Sequence, residues 1–448
     1  MTTPSPAPGT VALISLGCPK NLVNSEEMAA LLQEAGYAFT DDPARADAVI
    51  INTCAFIESA KSEAIEKILE TAALREENPS LKLIAAGCLA QRYSADIRAE
   101  LPEVDGLIGT GSYSEVVSVV ESVLSGGRPT VCGSIDAPLT ELPRAVSTGP
   151  AWAYLRIAEG CDNRCAYCVI PSIRGRYRSR TMESILSEAR DLADAGIKEL
   201  IVVAQDITRY GADLYGRRRL GELLNELCKL DFRWIRLHYL YPELIDDALI
   251  EVIASQDKIV KYLDIPVQHI NDSILKRMRR RSTGAQIRSL FKKLRERIPG
   301  LALRTSLITG LPGEGEAEFE ELCAFLREAR IERAGVFPYS PEEGTPAAAM
   351  EDRCTTEEAR RRAELCMDIQ AEIMDEFAAS LVGTEQDVLV MGFEPDGTAW
   401  GRSQYDSPDI DSRVVFSGKA LPGEMAKVRI LSADEGELVG ERTDITEA

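Results

Sequence analysis

Several features that define other classes of protein are missing from this sequence of 448 residues. No stretch holds the roughly 18 uncharged apolar residues that a membrane-spanning helix needs. The first ten residues, MTTPSPAPGT, lack the basic and apolar regions of a secretory signal. We therefore expect a soluble, cytoplasmic protein that has no membrane partner.

The sequence also lacks a Walker loop, a nucleophile elbow and a zinc-protease motif, so hydrolytic chemistry has no support. It has only two histidines, His238 and His269, and neither has a second metal ligand nearby in the sequence. Basic residues are too few to balance the acidic ones, and the net charge is −21. Such a charge repels a phosphate backbone and attracts basic surfaces, so free nucleic acid is not expected as the main partner. Solubility alone is the alternative explanation.

Cysteine, by contrast, is plentiful, with eleven residues in the chain. Thiols stay reduced in the cytoplasm, so this number indicates metal ligation or redox chemistry more than a disulfide framework.

The first part of the chain alternates between apolar runs and amphipathic segments. The runs VALISLG, AVIINT and LKLIAAG are separated by predicted helices near 25–34 and 57–73. This pattern predicts an α/β domain with a doubly wound parallel sheet, in which ligands bind at the carboxyl ends of the strands. We expect this N-terminal domain over residues 10–136 and a linker over 137–150, where the periodicity breaks.

A second alternating region predicts a partial (β/α)6 barrel over residues 151–380, with its chemistry on the loops at the carboxyl ends of the strands. Its six candidate strands are AYLRIA, ELIVVA, WIRLHY, KYLDIPV, LALRTSLI and RAGVFPY. Residues 381–448 follow a helical stretch and predict a small antiparallel β-barrel. Its candidate strands are EQDVLVMGF, GTAWGRSQY, RVVFSGK and AKVRILSA.

Three cysteines directly follow the first barrel strand, in the run GCDNRCAYC. We call Cys161, Cys165 and Cys168 the loop trio. Iron–sulfur clusters are held by cysteine thiolates, and a cubane offered only three thiolates keeps one iron open for a small molecule. The alternative is a zinc site with a fourth ligand from His238 or His269.

Three further cysteines each follow the end of a predicted strand in the N-terminal domain. We call Cys18, Cys54 and Cys88 the strand-end trio. The carboxyl ends of parallel strands meet at one edge of a sheet, so these loops are expected to converge. The alternative is ordinary packing, because small buried cysteines are common in α/β cores.

The spacing of the loop trio resembles the signature of the radical SAM superfamily. The resemblance implies that the open iron binds S-adenosylmethionine (SAM), and that one electron cleaves SAM to methionine and a 5′-deoxyadenosyl radical. It also implies cofactor-binding roles for Tyr167 near the adenine, for Gln205 and Asp206 near the methionine amine, and for Gly310 in a turn. Helix capping and turn geometry are alternative explanations for the last three residues.

The chain after residue 10 resembles the methylthiotransferase family, which joins a cluster domain, a radical SAM barrel and a C-terminal TRAM domain, an OB-like barrel. The resemblance implies two 4Fe–4S clusters, one on the loop trio and one on the strand-end trio. The second cluster supplies or carries the sulfur, and one SAM donates a methyl group. An electron donor such as flavodoxin or ferredoxin supplies the electrons. The product is a C–S–CH3 group, and no catalytic residue is assigned.

Within this family, LGCPKNLVNSE at 16–26 resembles the RimO branch, which modifies the β-carbon of an aspartate in the twelfth small-subunit ribosomal protein. Ser407 and Asp409 differ from that branch, where Ala and Glu are common, but keep size or charge. Residues 381–448 contain 14 acidic and six basic residues. Because RNA binding depends on cations, this module suits a basic ribosomal protein better than RNA. A merely solvated acidic surface is the alternative.

Two other functions are also consistent with the sequence. One is methylthiolation of a tRNA adenosine, and the other is a metal-stabilised RNA-binding protein whose cysteines are structural. The basic run KRMRRR at 276–281 is interpreted as a solvated helix end, with contact to ribosomal RNA as the alternative.

Overall fold

The computed structural model describes residues 8–444, and they form two compact units. The first unit comprises the chain as far as Ser147, together with Glu159–Arg164 and Cys168–Arg178. The second comprises Thr148–Ala158, Cys165–Tyr167 and the chain from Ser179 onwards.

The first unit contains a parallel sheet of six strands in the order β2-β1-β3-β4-β5-β6. The strands are β1 (Thr10–Ser15), β2 (Ala38–Phe39), β3 (Ala48–Thr53), β4 (Lys82–Gly87), β5 (Gly106–Gly109) and β6 (Thr130–Val131). Ser15 pairs with Asn52 and Thr53 pairs with Gly87, so β1, β3 and β4 end at one edge of the sheet.

Helices cover both faces of this sheet, because β3 and β4 are apolar and almost fully buried. The helices are α1 (Pro19–Glu34), α2 (Glu58–Ala73), α3 (Cys88–Arg92), α4 (Ser94–Glu100), α5 (Val116–Leu124) and α6 (Ile170–Arg174). Val49 and Leu83 pack with Ile68 of α2 on one face. Ile50 packs with Met28 of α1 on the other face. The predicted doubly wound sheet is therefore confirmed.

The second unit contains the six predicted strands of the central barrel, all parallel, in the order β14-β13-β12-β11-β10-β7. They are β7 (Trp152–Arg156), β10 (Glu199–Val203), β11 (Trp234–Leu237), β12 (Ile259–Asp264), β13 (Ala302–Thr309) and β14 (Arg333–Pro338). Two short strands, β8 (Ala158–Glu159) and β9 (Arg178–Ser179), lie where the chain passes between the units. The intervening helices are α7 (Met182–Asp194), α8 (Leu220–Leu227), α9 (Asp247–Ser255), α10 (Asp272–Arg277), α11 (Gly284–Arg297) and α12 (Glu316–Ala329).

Helix α13 (Thr356–Leu381) leads into a closed five-stranded barrel, as the alternating C-terminal pattern predicted. Its strands are β15 (Glu385–Phe393), β16 (Ala399–Ser403), β17 (Val414–Ser417), β18 (Met425–Asp434) and β19 (Glu437–Arg442). The four strands expected from the sequence omit β19, whose sequence ELVGER carries three charged residues. The pairing of β17 with β19 is parallel, whereas the other four pairings are antiparallel.

Within the second unit, residues 402–411 of the C-terminal barrel pack on the central strands through buried polar contacts. The Glu199 carboxylate accepts hydrogen bonds from Arg236 and Arg402, and all three side chains are buried. Tyr262 donates a hydrogen bond to Asp411 over 2.6 Å. At least one acidic residue of the C-terminal module, Asp411, is therefore hydrogen-bonded inside the unit.

From residue 8 to residue 444, the structure contains no helix whose length and apolar character would let it cross a membrane.

Candidate functional site

The strand-end trio lies at the carboxyl edge of the sheet in the first unit. Cys18 precedes α1 as its N-cap residue, Cys54 directly follows β3, and Cys88 begins α3 directly after β4. Cys54 and Cys88 are 8% and 6% exposed. The order β1-β3-β4 makes their strands neighbours, which is the convergence that the sequence pattern predicted.

Two glycines allow this edge to be tightly packed. Gly17 has φ +88°, and a Cβ there would lie 2.8 Å from Cβ of Cys54. Gly87 has φ +91°, and a Cβ there would lie 2.8 Å from the Thr53 carbonyl oxygen and closer still to Oδ1 of Asn52. Only glycine combines this backbone conformation with so close an approach. The residues before Cys18 and Cys88 therefore have a structural reason to be glycine.

Two asparagines fasten the strand ends to one another. Nδ2 of Asn21 donates to the carbonyl oxygens of Leu16 and Thr53 over 2.9 and 3.0 Å. Nδ2 of Asn52 donates to the Asn21 carbonyl oxygen over 2.8 Å and to Oγ of Ser25 over 2.9 Å. These buried amides join the end of β3 to the start of α1 and to the chain just before Cys18, so they fix the loops that carry Cys18 and Cys54.

A buried guanidinium lies against this trio. Arg174, the last residue of α6, is 3% exposed. Its Nη2 donates to Oδ1 of Asn21 and lies 3.6 Å from Sγ of Cys88. Its Nη1 donates to Oδ1 of Asn24 over 2.8 Å and lies 3.2 Å from Oε2 of Glu159. The first unit thus supplies a fixed positive charge next to the thiols.

The three thiols influence one another's protonation. Burial, together with the neighbouring Cys88 and Cys18, raises the pKa of Cys54 to about 12. Burial also raises the pKa of Cys88, against the opposing effect of Arg174. For Cys18, burial acts upwards, but Lys20, Arg174 and two backbone N–H groups together hold its pKa below the ordinary value. Three thiolates so close together repel each other, and a bound cation would relieve that repulsion.

The donor set of the strand-end trio fits an iron–sulfur cluster. Three soft thiol ligands from rigid strand ends share one edge, and thiolates are the ligands that such clusters take. Among residues 8–444, no group of three or more His, Cys, Asp or Glu side chains is arranged to hold a single metal ion. A cubane binds each thiolate through a different iron atom, so its ligands need not converge on one point.

The loop trio follows β7 in the run 161–168. Cys161 belongs to the first unit, where its N–H donates to the Gly175 carbonyl oxygen over 3.1 Å. Cys165 belongs to the second unit, where its Sγ lies 3.6 Å from the Tyr241 hydroxyl and 3.7 Å from Nη1 of Arg280. Three thiol donors within one short loop also fit a cluster with an open iron.

Most of the basic run 276–281 is a solvated helix end, as interpreted from the sequence: α10 ends at Arg277, and Lys276, Arg279 and Arg281 are exposed. Arg280 is the exception. Arg280 is 8% exposed, stacks over the Tyr241 ring at 4.5 Å, and donates to the Pro266 carbonyl oxygen over 2.8 Å. Arg277 pairs with Asp352 over 2.6 Å. The run therefore includes a buried cation beside Cys165.

The histidines do not support the alternative of a zinc site completed by His238 or His269. Both rings are buried in the second unit and have polar partners there. Nε2 of His238 lies 3.0 Å from Oγ of Ser407. Nδ1 of His269 accepts from the Asn271 N–H over 3.0 Å, and its Nε2 lies 3.3 Å from Oε2 of Glu314.

The four residues predicted to bind the cofactor all lie after strands or in the loop of the second unit. Tyr167 is half-buried and packs against a core cluster that includes Leu311 and Tyr339. Gln205 and Asp206 follow β10, and the buried Asp206 carboxylate accepts a hydrogen bond from Thr208. The cofactor-binding roles of these three residues stay predictions.

Gly310 follows β13 with φ +75°, and the structure gives it a packing role. A Cβ there would lie 2.5 Å from Cβ of Ala359 on α13 and 3.0 Å from Sγ of Cys354. Its N–H donates to Oε1 of Glu314 over 2.9 Å. This contact with α13 accounts for the glycine, and its cofactor-binding role stays a prediction.

Sequence reasoning missed Arg174, Arg280, Tyr241 and Asn21. They lie 67 to 115 residues away from the cysteines whose sulfurs they approach, so local sequence does not reveal these contacts. The signal available for Arg174 was its place six residues after Cys168, in a segment that begins with the proline-containing turn of α6.

Three family models match successive parts of the chain. Residues 10–109 match the Uncharacterized protein family UPF0004. Residues 155–326 match the Radical SAM superfamily, and residues 382–442 match the TRAM domain. The radical SAM match implies SAM and a 4Fe–4S cluster as cofactors.

The fold is also similar to that of a solved structure, the radical S-adenosylmethionine methyltransferase TsrM from Kitasatospora setae, determined with cobalamin and a 4Fe–4S cluster bound. The TM-score is 0.54 at 14% identity, over 84% of this chain and 80% of that chain. This likeness supports the fold alone.

Curated relatives match almost the whole chain. A protein from Caldanaerobacter subterraneus subsp. tengcongensis, named ribosomal protein uS12 methylthiotransferase RimO, is 49% identical over 435 residues, covering 96% of this chain and 99% of the relative. A protein of the same name from Geobacter sulfurreducens is 46% identical over 439 residues, covering 96% and 98%. These matches set aside the alternative of a metal-stabilised RNA-binding protein. The chain belongs to the RimO family of radical SAM methylthiotransferases.

Proposed function

We propose that this protein attaches a methylthio group to the β-carbon of an aspartate in ribosomal protein uS12, using SAM and two 4Fe–4S clusters. The observation that carries the proposal is the presence of two cysteine trios, each with a buried arginine beside one sulfur. Within this proposal the domains are 10–136, 151–380 and 381–448, and residues 137–150 link the first two.

Each trio would supply three thiolate ligands to a cubane, which has four irons, so that one iron of each cluster would be left for a reactant. The loop trio would hold the cluster that binds SAM, and the strand-end trio would hold the second cluster. When bound, these clusters supply the electron that cleaves SAM and the site from which sulfur is transferred. A small electron-transfer protein such as flavodoxin or ferredoxin delivers the electron. Thiol ligands of this kind persist in the reducing cytoplasm, where we expect the protein to act.

The chain's own residues orient SAM at the carboxyl ends of the barrel strands. Tyr167 follows Ala166, whose N–H donates to the Met278 carbonyl oxygen over 3.0 Å and whose carbonyl oxygen accepts from Ala347 over 2.9 Å. These two hydrogen bonds fix the backbone next to Tyr167, and the ring of Tyr167 packs on the adenine. Gln205 and Asp206, after β10, provide polar groups for the methionine amine. Gly310, after β13, lies at the same end of the barrel strands.

The C-terminal barrel favours a basic protein substrate over RNA. Four of its six basic residues are paired with carboxylates, which reduces the charge they can offer to phosphates. Those four residues are Arg402, Arg413, Lys427 and Arg442. The excess of acidic groups therefore suits the Lys- and Arg-rich surface of a ribosomal protein.

Product identification tests this proposal. We expect uS12 from cells that carry the gene to contain an aspartate heavier by the mass of a methylthio group replacing hydrogen, and uS12 from deletion cells to lack it. Expression of a variant with Cys18, Cys54 and Cys88 replaced by Ala is the matched control, and we expect no restoration. Unmodified uS12 together with a methylthio-adenosine in tRNA that depends on the gene would contradict the proposal and favour the tRNA alternative.

A further inference from the structure

Arg174 has more polar partners in the first unit than a simple ion pair needs. Its two Nη atoms approach four acceptors, namely Asn21, Cys88, Asn24 and Glu159. Only one of these acceptors is a carboxylate, and it lies 3.2 Å away. Each of the two Nη atoms approaches two of these acceptors, so the planar guanidinium has one fixed orientation.

Helix α6 is itself held firmly, so this orientation is set by the sheet. Ile173 is fully buried in the same core cluster as Leu89 and Ala90 of α3. The Ile173 carbonyl oxygen accepts a hydrogen bond from Oγ1 of Thr110 over 2.6 Å. Arg174 is next in the chain, so the position of its Cα relative to Cys88 is fixed by packing.

We propose that Arg174 is a positioning residue for the cluster on the strand-end trio. Its Nη2 fixes the Cys88 side chain in the orientation that binds iron and keeps a hydrogen bond to that sulfur when the cluster is present. Hydrogen bonds to cluster sulfurs and nearby positive charge raise the reduction potential. Arg174 therefore strengthens iron retention and raises the potential of this cluster. This inference rests on the proposed function, because it requires a cluster at the strand-end trio.

The competing explanation is that Arg174 only neutralises the buried Glu159 carboxylate. Removing the arginine alone would then leave an unpaired buried charge and destabilise the fold, whatever its effect on iron. The double variant Arg174→Gln with Glu159→Gln removes both charges and keeps hydrogen-bonding groups in place. It separates the two explanations.

The experiment uses the full chain with Cys161, Cys165 and Cys168 replaced by Ala, so that the strand-end trio alone carries iron. In this background we compare Arg174→Lys, Arg174→Gln and the Arg174→Gln, Glu159→Gln double variant after anaerobic reconstitution. The readouts are the resistance of bound iron to a chelator and the midpoint potential from an EPR-monitored redox titration. Arg98→Lys is the matched control, because Arg98 donates to the carbonyl oxygens of Val104 and Asp105 at another edge of the unit.

We expect the Gln and double variants to bind iron about 10- to 100-fold more weakly, the usual effect of losing a group that orients a metal ligand. Their midpoint potential should fall, Arg174→Lys should restore part of both properties, and Arg98→Lys should match the background protein. A double variant with unchanged iron affinity and potential would overturn the role of Arg174 and leave the proposed function intact. A background protein that binds no cluster would overturn the proposed second cluster, and this inference with it.

Discussion

The strand-end trio and the loop trio are built by different parts of the fold. The strand-end cysteines come from three segments far apart in the sequence, and they meet because β1, β3 and β4 are neighbours in one parallel sheet. The loop cysteines come from one short run, 161–168. The first trio therefore depends on sheet register and on the residues that pack the strand ends, whereas the second depends on the spacing within a single loop.

The two trios also share a feature, a buried arginine beside one sulfur. Arg174 lies 3.6 Å from Sγ of Cys88, and Arg280 lies 3.7 Å from Sγ of Cys165. The other partners of the two arginines differ. Arg174 contacts a carboxylate and two amides, whereas Arg280 stacks on the Tyr241 ring and donates to a carbonyl oxygen. The two arginines are therefore held in place by different kinds of contact.

The largest expected effects come from replacing the cysteines themselves. Changing Cys161, Cys165 or Cys168 to Ala should abolish SAM cleavage, because the open-iron site is lost. Changing any member of the strand-end trio to Ala should leave SAM cleavage but stop formation of methylthiolated product. The measurements are 5′-deoxyadenosine by chromatography and modified uS12 by mass spectrometry.

The control for this experiment is Cys228→Ala, which lies in the second unit at the end of α8 and should keep both activities. If the strand-end variants still produced methylthiolated uS12, the strand-end trio would not be needed for sulfur insertion, and the separate roles proposed for the two trios would be wrong.

Gly87→Ala should damage the strand-end trio selectively. The backbone at Gly87, with φ 91° and ψ −146°, costs an alanine about 1–3 kcal/mol. The added Cβ would also crowd Asn52 and Thr53, at about 1–3 kcal/mol more. We expect loss of iron from this trio, with iron on the loop trio retained, measured by iron analysis and urea unfolding.

Gly126→Ala is the matched control, because Gly126 has φ +87° in the same unit but open space around its Cβ position. It should lose about 1–2 kcal/mol of stability and no iron. Equal iron loss in the two variants would mean that general destabilisation, rather than geometry at Cys88, removes the cluster.

Arg280→Met should weaken the loop trio, since it removes a donor near Cys165 while keeping an unbranched side chain. Measured in a background with Cys18, Cys54 and Cys88 replaced by Ala, iron retention should fall about 10- to 100-fold. Arg281→Met changes an exposed residue of the same basic run and should have no effect. An equal loss in the two variants would show that the charge of the run matters and not the contact with Cys165.

The smallest effect should come from Asn21→Ala. Loss of its two carbonyl contacts should lower the free energy of unfolding by about 1–3 kcal/mol and reduce iron on the strand-end trio. Asn78→Ala removes a similar pair of contacts, to the carbonyl oxygens of Ala44 and Ala46, away from the cysteines. It should cost similar stability without loss of iron, and iron loss there would argue against a specific role for Asn21.

The sequence could predict the elements whose signal is local. The apolar runs of β3 and β4 marked buried parallel strands, and the position of Cys54 and Cys88 directly after them followed from that pattern. The six central strands and the closed C-terminal barrel were predicted on the same basis. Strand β19 was missed, because its six residues, ELVGER, include three charged residues and only two large apolar ones, which do not alternate.

Residues that reach the site through tertiary structure could not be predicted. Arg174 and Asn21 are 153 positions apart, and only the packing of α6 on the sheet brings them together. Arg280 belongs to a run whose composition is typical of a solvent-exposed segment. Its side chain is nevertheless buried, and its Nη1 lies beside Sγ of Cys165. In each case the deciding quantity is the orientation of one side chain, which local pattern does not encode.

The central claim is that two separate sets of three thiolates each hold one cluster. Iron and acid-labile sulfide analysis of anaerobically reconstituted protein tests it most directly, in the parent chain and in the two triple Ala variants. We expect the content of two cubane clusters in the parent and of one in each variant. Stoichiometric zinc with almost no iron, or a triple variant that keeps the full iron content of the parent, would contradict the account.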